Sequence, residues 1–358
     1  MSDATFALVA IGAKILFVWV IALATILPNL VWAERRVAGM IQDRPGPNRV
    51  GPFGLFQIIA DGTKFFMKES VTPLYVDKLL YNLAPWITLM PGLVTFAVIP
   101  FGATLPVTIG GVTRQVPLVI ADVNIGILYI FAFTGLGIYG IVLAGWSANN
   151  KYSLMGGLRA SAQIISYELA MGFAAAGVFL AAGTLRLSGV VEWQQQHVWG
   201  VFAQPLAFVL FLTAAIAENK RIPFDLPECE SELISGYFTE YTSMKMGLFL
   251  LSEFIEIVVI SALLVTLFLG GYTLPFLRPE GFVLPGGATW ELSHLAVTVL
   301  QVLAFTAKVF VVGCFQIGIR WTLPRFRYDQ LMALGWKFLL PFATVNLLVT
   351  AVIRWWTL

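Results

Sequence analysis

Residues 245–270 read KMGLFLLSEFIEIVVISALLVTLFLG, an apolar run interrupted mainly by two glutamates. A helix needs about 20 such residues to cross the roughly 30 Å hydrocarbon core of a bilayer. Their continuity favours helices over the alternating, ten-residue strands of a membrane β-barrel. Comparable apolar runs occur at about 6–32, 79–101, 123–146, 161–185, 199–217, 293–319 and 335–357. The sequence therefore predicts an all-α polytopic membrane protein with about eight transmembrane helices.

The composition excludes a soluble globule. Hydrophobic residues make up 58% of the 358 residues and charged residues 12%, and the mean hydropathy is +0.83. No single soluble core could cover that much apolar surface. We see no internal repeat of the kind that marks many secondary transporters, so residues 1–358 are predicted to form one membrane domain.

The distribution of basic residues predicts the orientation. With eight spans, sixteen of the 22 Lys and Arg residues fall on one face of the membrane and five on the other. The positive-inside rule places the richer face, with its long charged loops, in the cytoplasm. Both termini are then expected on the outer, periplasmic side of a bacterial inner membrane.

The first cytoplasmic loop covers about residues 33–78. Its beginning, ERRVAGMIQDRPGPNRVGPFG, contains Pro45, Pro47 and Pro52 among several glycines. Proline restricts the backbone and glycine permits tight reversals, so this part is predicted to be a rigid structure.

An amphipathic helix is predicted to follow within FGLFQIIADGTKFFMKES, residues 53–70. Polar and apolar side chains alternate there with helical spacing and should place the helix in the membrane interface. It either anchors the loop or lines the entrance for a lipophilic ligand. The polar face carries Gln57, Asp61, Lys64 and Lys68.

A second charged loop, residues 217–242, is unusually acidic. Eight of the twenty carboxylates of the chain fall between Glu218 and Glu256. Clustered carboxylates beside a bilayer repel one another, so several should hold protons near neutral pH. Pro223 and Pro227 prevent one continuous helix, so the loop is either a proton-handling site or a solvated surface that docks a basic partner. Its acids include Asp225, Glu228, Glu230 and Glu232.

Four ionisable residues lie within predicted spans: Glu168, Glu253, Glu256 and Lys308. A charge at bilayer depth costs at least ~2.5 kcal/mol, so each is a functional candidate. Glu253 and Glu256 are three residues apart and share a helix face. The alternative is a structural ion pair between Lys308 and one of the glutamates, and such a pair could itself relay protons.

Metal and redox centres are not expected in this chain. The only thiols are Cys229 and Cys314, too few for a four-cysteine iron–sulfur site. His197 and His294 are far apart in sequence. Any redox centre is therefore expected in a partner.

Four long stretches identify a resemblance that extends from about residue 33 to 340. They resemble the H-subunit family of proton-pumping NADH:quinone oxidoreductase, respiratory complex I, whose mitochondrial counterpart is NADH dehydrogenase subunit 1. The stretches are ERRVAGMIQDRPGPNRVGPFGLFQIIADGTKFFMKE, GWSANNKYSLMGGLRASAQIISYE, AENKRIPFDLPECESELISGYFTEY and RWTLPRFRYDQLMALGWKFLLP.

The resemblance implies roles for residues at matching positions. Quinone-chamber and entrance residues would be Glu34, Arg35, Arg36 and Asp61. The acidic loop facing the chamber would contribute Asp225, Glu228, Glu230 and Glu232. The carboxylates leading into the membrane would be Glu218, Glu168 and Glu253. Glu256 and Lys308 are added to this path because of their depth in the membrane.

The resemblance also implies the mechanism. The chain would bind no cofactor; quinone would be its substrate, and FMN and iron–sulfur clusters would reside in partner subunits. Electrons from a peripheral subunit would reduce the quinone, and its charge or movement would shift the titration of the acidic loop. Further partners would be small membrane-arm and antiporter-like subunits.

Three alternatives remain at the level of the sequence. The chain could be the membrane subunit of a related energy-converting hydrogenase or of another dehydrogenase. It could be a stand-alone proton or cation transporter, although the missing repeat and the heavy cytoplasmic loops do not favour this. A purely structural anchor would leave the four intramembrane charges unexplained.

Overall fold

The computed structural model describes residues 3–109, 112–278, 281–283 and 289–357. Helices dominate this part of the chain, as the apolar runs predict. The helices are α1 (Asp3–Trp19), α2 (Leu27–Ile41), α3 (Gln57–Met67), α4 (Lys78–Thr95), α5 (Gly126–Ser147), α6 (Lys151–Ala182), α7 (Leu187–Gln196), α8 (Gly200–Ala203), α9 (Pro205–Glu218), α10 (Glu230–Leu233), α11 (Ser243–Phe268), α12 (His294–Thr322), α13 (Tyr328–Ala333) and α14 (Leu340–Thr357).

Short non-α segments join or interrupt these helices. π-Helical turns occupy Val20–Ile26 and Leu334–Leu339, and 3₁₀ turns occupy Pro52–Gly54, Phe96–Val98 and Gly236–Phe238. The strands are β1 (Thr104–Ile109), β2 (Val112–Pro117), β3 (Leu277–Arg278), β4 (Gly281–Val283) and β5 (Thr289–Glu291). β1 and β2 form an antiparallel hairpin, and β3, β4 and β5 form a small antiparallel sheet in that order.

Seven helical stretches of the described chain are long and apolar enough to cross a membrane. They are Thr5–Ile41, Lys78–Val98, Gly126–Ser147, Lys151–Ala182, Ser243–Phe268, His294–Thr322 and Tyr328–Trp356. The prediction of an all-α polytopic membrane protein is confirmed.

The eighth predicted run, 199–217, is divided between two helices. α8 ends at Ala203, and α9 begins with Pro205 at its first position, where proline lacks the N–H that a continuous helix would use. The 14 residues of α9 extend only about 21 Å, less than a full hydrocarbon core. Neighbouring helices cover one side of the short helix, where Phe211 and the last five residues are buried, whereas Leu206 and Val209 are exposed.

α11 is the central helix of the bundle. Within an apolar stretch of 18 residues in each span, 78% of the residues are buried in α11, compared with 11% in the first span and 17% in the last. α4, α12, α9 and α2 pack around it. Glu253 and Glu256 therefore lie in the protein interior and not on a lipid-facing surface.

Helix ends follow local sequence signals. The Asp77 side chain accepts hydrogen bonds from the first backbone N–H groups of α4, and Asn150 caps α6 in the same way. α6 ends at Gly183, whose φ of 73° is a left-handed conformation that favours glycine. These caps fix where the spans meet the charged loops.

The two long charged loops meet at one end of the bundle. Arg221, after α9, contacts Glu34 in α2, and the hydroxyl of Tyr81 in α4 donates to the carbonyl of Glu240 at 2.7 Å. At the other end, Arg186 contacts Asp122 at 3.2 Å. We call the end that holds Arg221 the charged face; its cytoplasmic orientation stays a prediction.

The amphipathic helix forms as α3, beside the charged face. Ile59, Phe66 and Met67 are exposed, whereas Asp61 points toward α2 and contacts Arg35 at 2.7 Å. One side of α3 is thus free to contact lipid. Gln57, Asp61 and Phe65 on the other side are partly covered by the protein, whereas Lys64 and Lys68 of the predicted polar face are exposed.

Candidate functional site

A cavity of about 620 Å³ opens at the charged face. It lies between α2, α11, the end of α12 and the loops that follow α2 and α9. Its polar lining includes Glu34, Arg35, Arg44, Gln57, Arg221, Glu228, Glu253 and Arg320, and its apolar lining includes Val31, Leu250, Phe254 and Trp321.

The proline-rich loop after α2 forms one wall of the cavity. Gly54 has φ of 77°, and a Cβ atom there would lie 2.3 Å from the carbonyl oxygen of Pro47. The Arg36 guanidinium donates to that same oxygen at 3.4 Å. This close packing supports the predicted rigidity of the loop.

Arg221 is at the centre of the polar lining. Its guanidinium contacts Glu34 at 3.1 Å and Glu253 at 3.6 Å, and lies 4.4 Å from the ring centre of Phe254. Arg320 also donates to Glu34. Arg221, Glu34 and Glu253 are all buried. Removal of any one of them would leave an uncompensated charge in the interior.

Glu228 and Glu253 form a carboxyl pair at the cavity. They share a side-chain hydrogen bond, which requires one carboxyl to carry a proton. Burial raises the pKa of Glu228 well above its usual range, and the Glu253 carboxylate raises it further. Tyr237, whose pKa is raised by burial and by Glu253, donates to Glu253 at 3.1 Å. The pair therefore holds one exchangeable proton when this hydrogen bond is formed.

A second buried ion pair lies deeper in the bundle. Lys220, only 1% exposed, contacts Glu256 at 3.0 Å. Burial alone would lower the pKa of Lys220, but Glu256 and Glu253 raise it above its usual value, so the ammonium stays charged. We call Glu34, Lys220, Arg221, Glu228, Glu253, Glu256 and Arg320 the charged cluster.

A small cavity continues from this pair toward the membrane interior. It has a volume of about 20 Å³ and is lined by Glu256, Glu218, Thr88 and Thr134, among apolar residues. That volume holds one water molecule. Glu218 is buried, and its Oε2 atom lacks a hydrogen-bond partner among the described residues. A water molecule there would connect the two carboxyl groups.

Glu168 extends the series of carboxyl groups to the outside of the bundle. It interacts electrostatically with Glu218 and lies against Gly135 of α5, where a Cβ atom would be 3.3 Å from its Oε1. Its carboxyl group opens into an apolar groove of about 470 Å³ between α5, α6 and α14. The order Glu228, Glu253, Glu256, Glu218, Glu168 thus leads from the charged face to a groove on the membrane-facing surface.

The other acids of the acidic loop do not line the cavity. Asp225 contacts Arg325 at 2.7 Å, and Glu232 contacts Arg159 of α6 at 2.5 Å. The Glu230 side chain lies outside the described part of the structure. Of the five carboxylates of residues 217–242 whose side chains are described, only Glu228 lines the cavity.

Of the four chamber residues implied by the resemblance, two line the cavity and two lie behind its wall. Glu34 and Arg35 line the cavity. Asp61 is behind Arg35, with which it forms its ion pair. Arg36 packs against the proline-rich loop. The first two can contact a ligand directly, and the other two position the wall.

Lys308 has different partners from those that the sequence suggests. Its ammonium donates to the backbone carbonyls of Leu269, Gly271 and Thr273, at 2.7, 3.0 and 2.6 Å. It also lies 4.7 Å from the ring centre of Trp199. These carbonyls belong to the end of α11 and the turn after it. The cations that pair with the buried glutamates are instead Arg221 and Lys220.

Arg320 of the charged cluster and Tyr237, which donates to Glu253, are residues that the sequence does not single out. Arg320 ends an apolar run, where a basic residue normally extends toward water. Tyr237 lies among aromatics that gather at membrane interfaces in any case. The sequence offers one signal for a further cation such as Arg320: Lys220 and Arg221 balance only part of the negative charge of the acidic loop.

Metal binding has no support in the described residues: no group of three or more His, Cys, Asp and Glu side chains there could hold a metal ion. Fold and site together define a multi-pass membrane protein with a buried acid–base network open to one face. A family model described as NADH dehydrogenase matches residues 13–351, and the chain belongs to this family.

Curated relatives match almost the whole chain, and each is an H subunit of NADH-quinone oxidoreductase. The chain is similar to such a protein of Cytophaga hutchinsonii, with 47% identity over 89% of each chain. A relative from Geobacter metallireducens is 48% identical over 94% of each chain. Another from Koribacter versatilis is 45% identical over 98% of each chain. The resemblance predicted from the four sequence stretches is confirmed.

Proposed function

We propose that this chain is the H subunit of a proton-pumping NADH:quinone oxidoreductase, and that its charged cavity forms part of the quinone site. The observation that carries the proposal is the arrangement of the cavity. Arginines and exchangeable carboxyl groups line one space, from which further carboxyl groups lead inward. Family membership and the names of the relatives support the assignment.

The cavity has the properties that a quinone site needs. Its volume falls within the usual range for small-molecule sites, about 300–1,000 Å³. Val31, Leu250, Phe254 and Trp321 offer apolar contacts for a ring and an isoprenoid tail. Arg35 lines the same space and provides donors for a quinone carbonyl oxygen.

The chain supplies protons and fixed charge to the reaction. Quinone reduction consumes two electrons and two protons, and the electrons come from the iron–sulfur clusters of a partner subunit. Negative charge that develops on the quinone attracts the Arg221 guanidinium. Arg221 then stabilises Glu253 less, so the proton shared by Glu228 and Glu253 is redistributed.

This redistribution would be transmitted inward. Glu253 and Glu256 share a helix face, and Lys220 contacts Glu256. A change at Glu256 acts on Glu218 across the small cavity and then on Glu168. We leave Lys308 out of this path because its ammonium is bound by backbone carbonyls.

The expected setting follows from the family. Peripheral iron–sulfur subunits would cover the charged face, and small membrane-arm and antiporter-like subunits would continue the path from Glu168. FMN and iron–sulfur clusters would belong to partners. In a bacterial inner membrane both termini would be periplasmic; reporters fused to each terminus test this, and a cytoplasmic signal from either would contradict it.

The two remaining alternatives have distinct signatures. A subunit of a related hydrogenase or dehydrogenase would copurify with a different electron-donating subunit. A stand-alone transporter would catalyse coupled proton flux as a purified single chain. The names of the matched relatives favour the quinone enzyme.

The proposal is tested by replacing Glu228 and Glu230 together with Gln in the assembled enzyme. Quinone reductase activity and proton pumping should both fall, because the shared proton can no longer be exchanged. Glu69→Gln is the control, since Glu69 is exposed on the same face. Normal values of both activities in the double variant would refute the proposal.

A further inference from the structure

The segment that joins α12 to α13, residues 323–327, lies against the acidic loop. It belongs to the stretch RWTLPRFRYDQ, in which Arg320 and Trp321 line the cavity, whereas the proposed function gives residues 323–327 no role. The backbone N–H of Phe326 donates to the carbonyl of Pro223 at 3.1 Å. The Phe326 ring stacks on Phe224, with centroids 5.4 Å apart and an interplanar angle of 9°. Backbone and side chain thus attach the two segments to each other.

Arg325 adds a bidentate contact to the same loop. One guanidinium nitrogen contacts Asp225 Oδ2 at 2.7 Å, and the other contacts Cys229 Sγ at 3.2 Å. Asp225 and Cys229 are both buried. They flank Glu228 and its preceding proline, so one side chain fixes both ends of the turn that presents Glu228 to the cavity.

The opposite side of the loop is attached to α6. The Gln163 side-chain amide donates to the carbonyl of Phe224 at 2.7 Å and to that of Ala217 at 2.8 Å. The Tyr167 ring lies 5.9 Å from the Phe224 ring. Gln163 and Tyr167 are fully buried, whereas residues 323–327 are exposed at the charged face. The loop is therefore held between a fixed side and an exposed side.

We propose that Arg325 and Phe326 form a clasp on the acidic loop, and that Arg325 is a positioning residue that holds Glu228 against Glu253. The predicted effect on activity rests on the proposed function. The predicted effect on the conformation of the loop does not, since it follows from the contacts alone.

A guanidinium is required for both contacts. Its planar fork has two nitrogens that can serve two acceptors at once, whereas an ammonium is a single point of charge. Lysine at this position should retain the contact with Asp225 and lose the contact with Cys229. The two functions of Arg325 can thus be separated by one substitution.

Arg325 also sets the charge state of Asp225. Burial raises the pKa of Asp225, and Arg325 and Arg320 act in the opposite direction. Glu253 and Glu228 are the acids that face it. Loss of Arg325 should raise the pKa of Asp225 further, so Asp225 would take up a proton at a higher pH. The acid limb of quinone reductase activity should move to higher pH.

The experiment measures alkylation of Cys229 by N-ethylmaleimide in the assembled, membrane-bound enzyme. Cys314→Ala removes the second thiol, and mass spectrometry identifies the modified residue. The variants are Arg325→Gln, Arg325→Lys and Phe326→Leu. The control is Arg327→Gln, since the Arg327 side chain is exposed and contacts Asp329 within its own turn.

Arg325→Gln should label roughly tenfold faster than the parent, because a charge-assisted contact that keeps the thiol buried is lost. Arg325→Lys should also label faster but keep the pH profile of the parent. Phe326→Leu should label at an intermediate rate, and Arg327→Gln at the rate of the parent.

Unchanged labelling in both Arg325→Gln and Phe326→Leu would overturn the clasp, whatever the activity. Faster labelling of Cys229 together with an unchanged rate and pH profile of quinone reduction would confirm the clasp. That result would overturn the role proposed for the acidic loop. If Arg325→Gln does not assemble, Arg325→Lys and Phe326→Leu still decide the question.

Discussion

Lys220 and Lys308 are both lysines within the helical bundle, but oxygens of different kinds accept their hydrogen bonds. Lys220 contacts the carboxylate of Glu256, in a cluster where Glu228 and Glu253 share a hydrogen bond. Lys308 donates to three backbone carbonyls. A carboxylate can take up a proton and change the local charge, whereas a carbonyl cannot. The first region can therefore respond to a charge on a ligand, and for the second we propose a structural role.

The charged cluster is close to electrical neutrality, which makes it sensitive to one proton. If Asp225 and Arg325 are included, five carboxylates face four cations: Glu34, Asp225, Glu228, Glu253 and Glu256 against Lys220, Arg221, Arg320 and Arg325. The proton between Glu228 and Glu253 removes the single excess charge. A buried network of this kind is stabilised only while its charges balance.

The largest effect is expected from removal of the central cation. Arg221→Gln leaves Glu34 and Glu253 without their shared partner in the interior. This should destabilise the folded protein by about 3–5 kcal/mol. The level of assembled enzyme and its quinone reductase activity should both fall severely. Arg221→Lys, which retains the charge, should recover part of each. Immunoblots of membranes and NADH:quinone assays measure this; normal activity in Arg221→Gln would show that the cluster is not a balanced unit.

The pH profile should change next most strongly. The pKa of Glu228 is raised by burial and by Glu253, so Glu228 keeps its proton to a higher pH than an ordinary glutamate and loses it as the pH rises through that raised value. Activity that uses this proton should decline on the alkaline side. Glu228→Gln should have roughly tenfold lower activity, without the Glu228-dependent alkaline decline. The same alkaline limb in this variant would assign the limb to another group.

Lys308→Met should separate the two regions. The carbonyls of Leu269, Gly271 and Thr273 lose their donor, which should lower stability by ~2 kcal/mol. The number of protons pumped per electron should not change. Thermal inactivation and the proton-to-electron ratio test this, with exposed Lys78→Met as the control. A reduced ratio at normal stability would place Lys308 on the proton path.

The smallest effect is expected at the rim of the cavity. The Arg35 and Asp61 side chains are 46% and 23% exposed, and such pairs contribute little because water screens them. Arg35→Gln should raise the KM for quinone by roughly threefold and leave kcat unchanged. A large loss of kcat would contradict this and show that the contact of Arg35 with the quinone is stronger in the transition state than in the bound ground state.

The sequence predicts elements more completely than contacts. The run at 245–270 and the amphipathic pattern at 57–68 correspond to α11 and α3, because burial and helical spacing leave local patterns. The break at Pro205 also has a local cause, but the apolar run conceals it. The short α9 packs against α6, α11 and α14, which no local pattern shows.

The site was predicted only in part for the same reason. Acid density and depth in the membrane identify Glu228, Glu253 and Glu256. They cannot show that Asp225 turns toward Arg325, or that Lys308 contacts the end of α11, because both contacts join segments far apart in sequence. Membership of the family could be recognised from the motifs, whereas the partner of each carboxylate required the structure.

Infrared difference spectroscopy of the assembled enzyme tests the central claim most directly, that quinone reduction moves the proton shared by Glu228 and Glu253. Reduction should change the carbonyl stretching band of a protonated carboxyl group. That change should disappear in Glu228→Gln and persist in Lys308→Met. An unaltered band in Glu228→Gln, with quinone still fully reduced, would contradict the account.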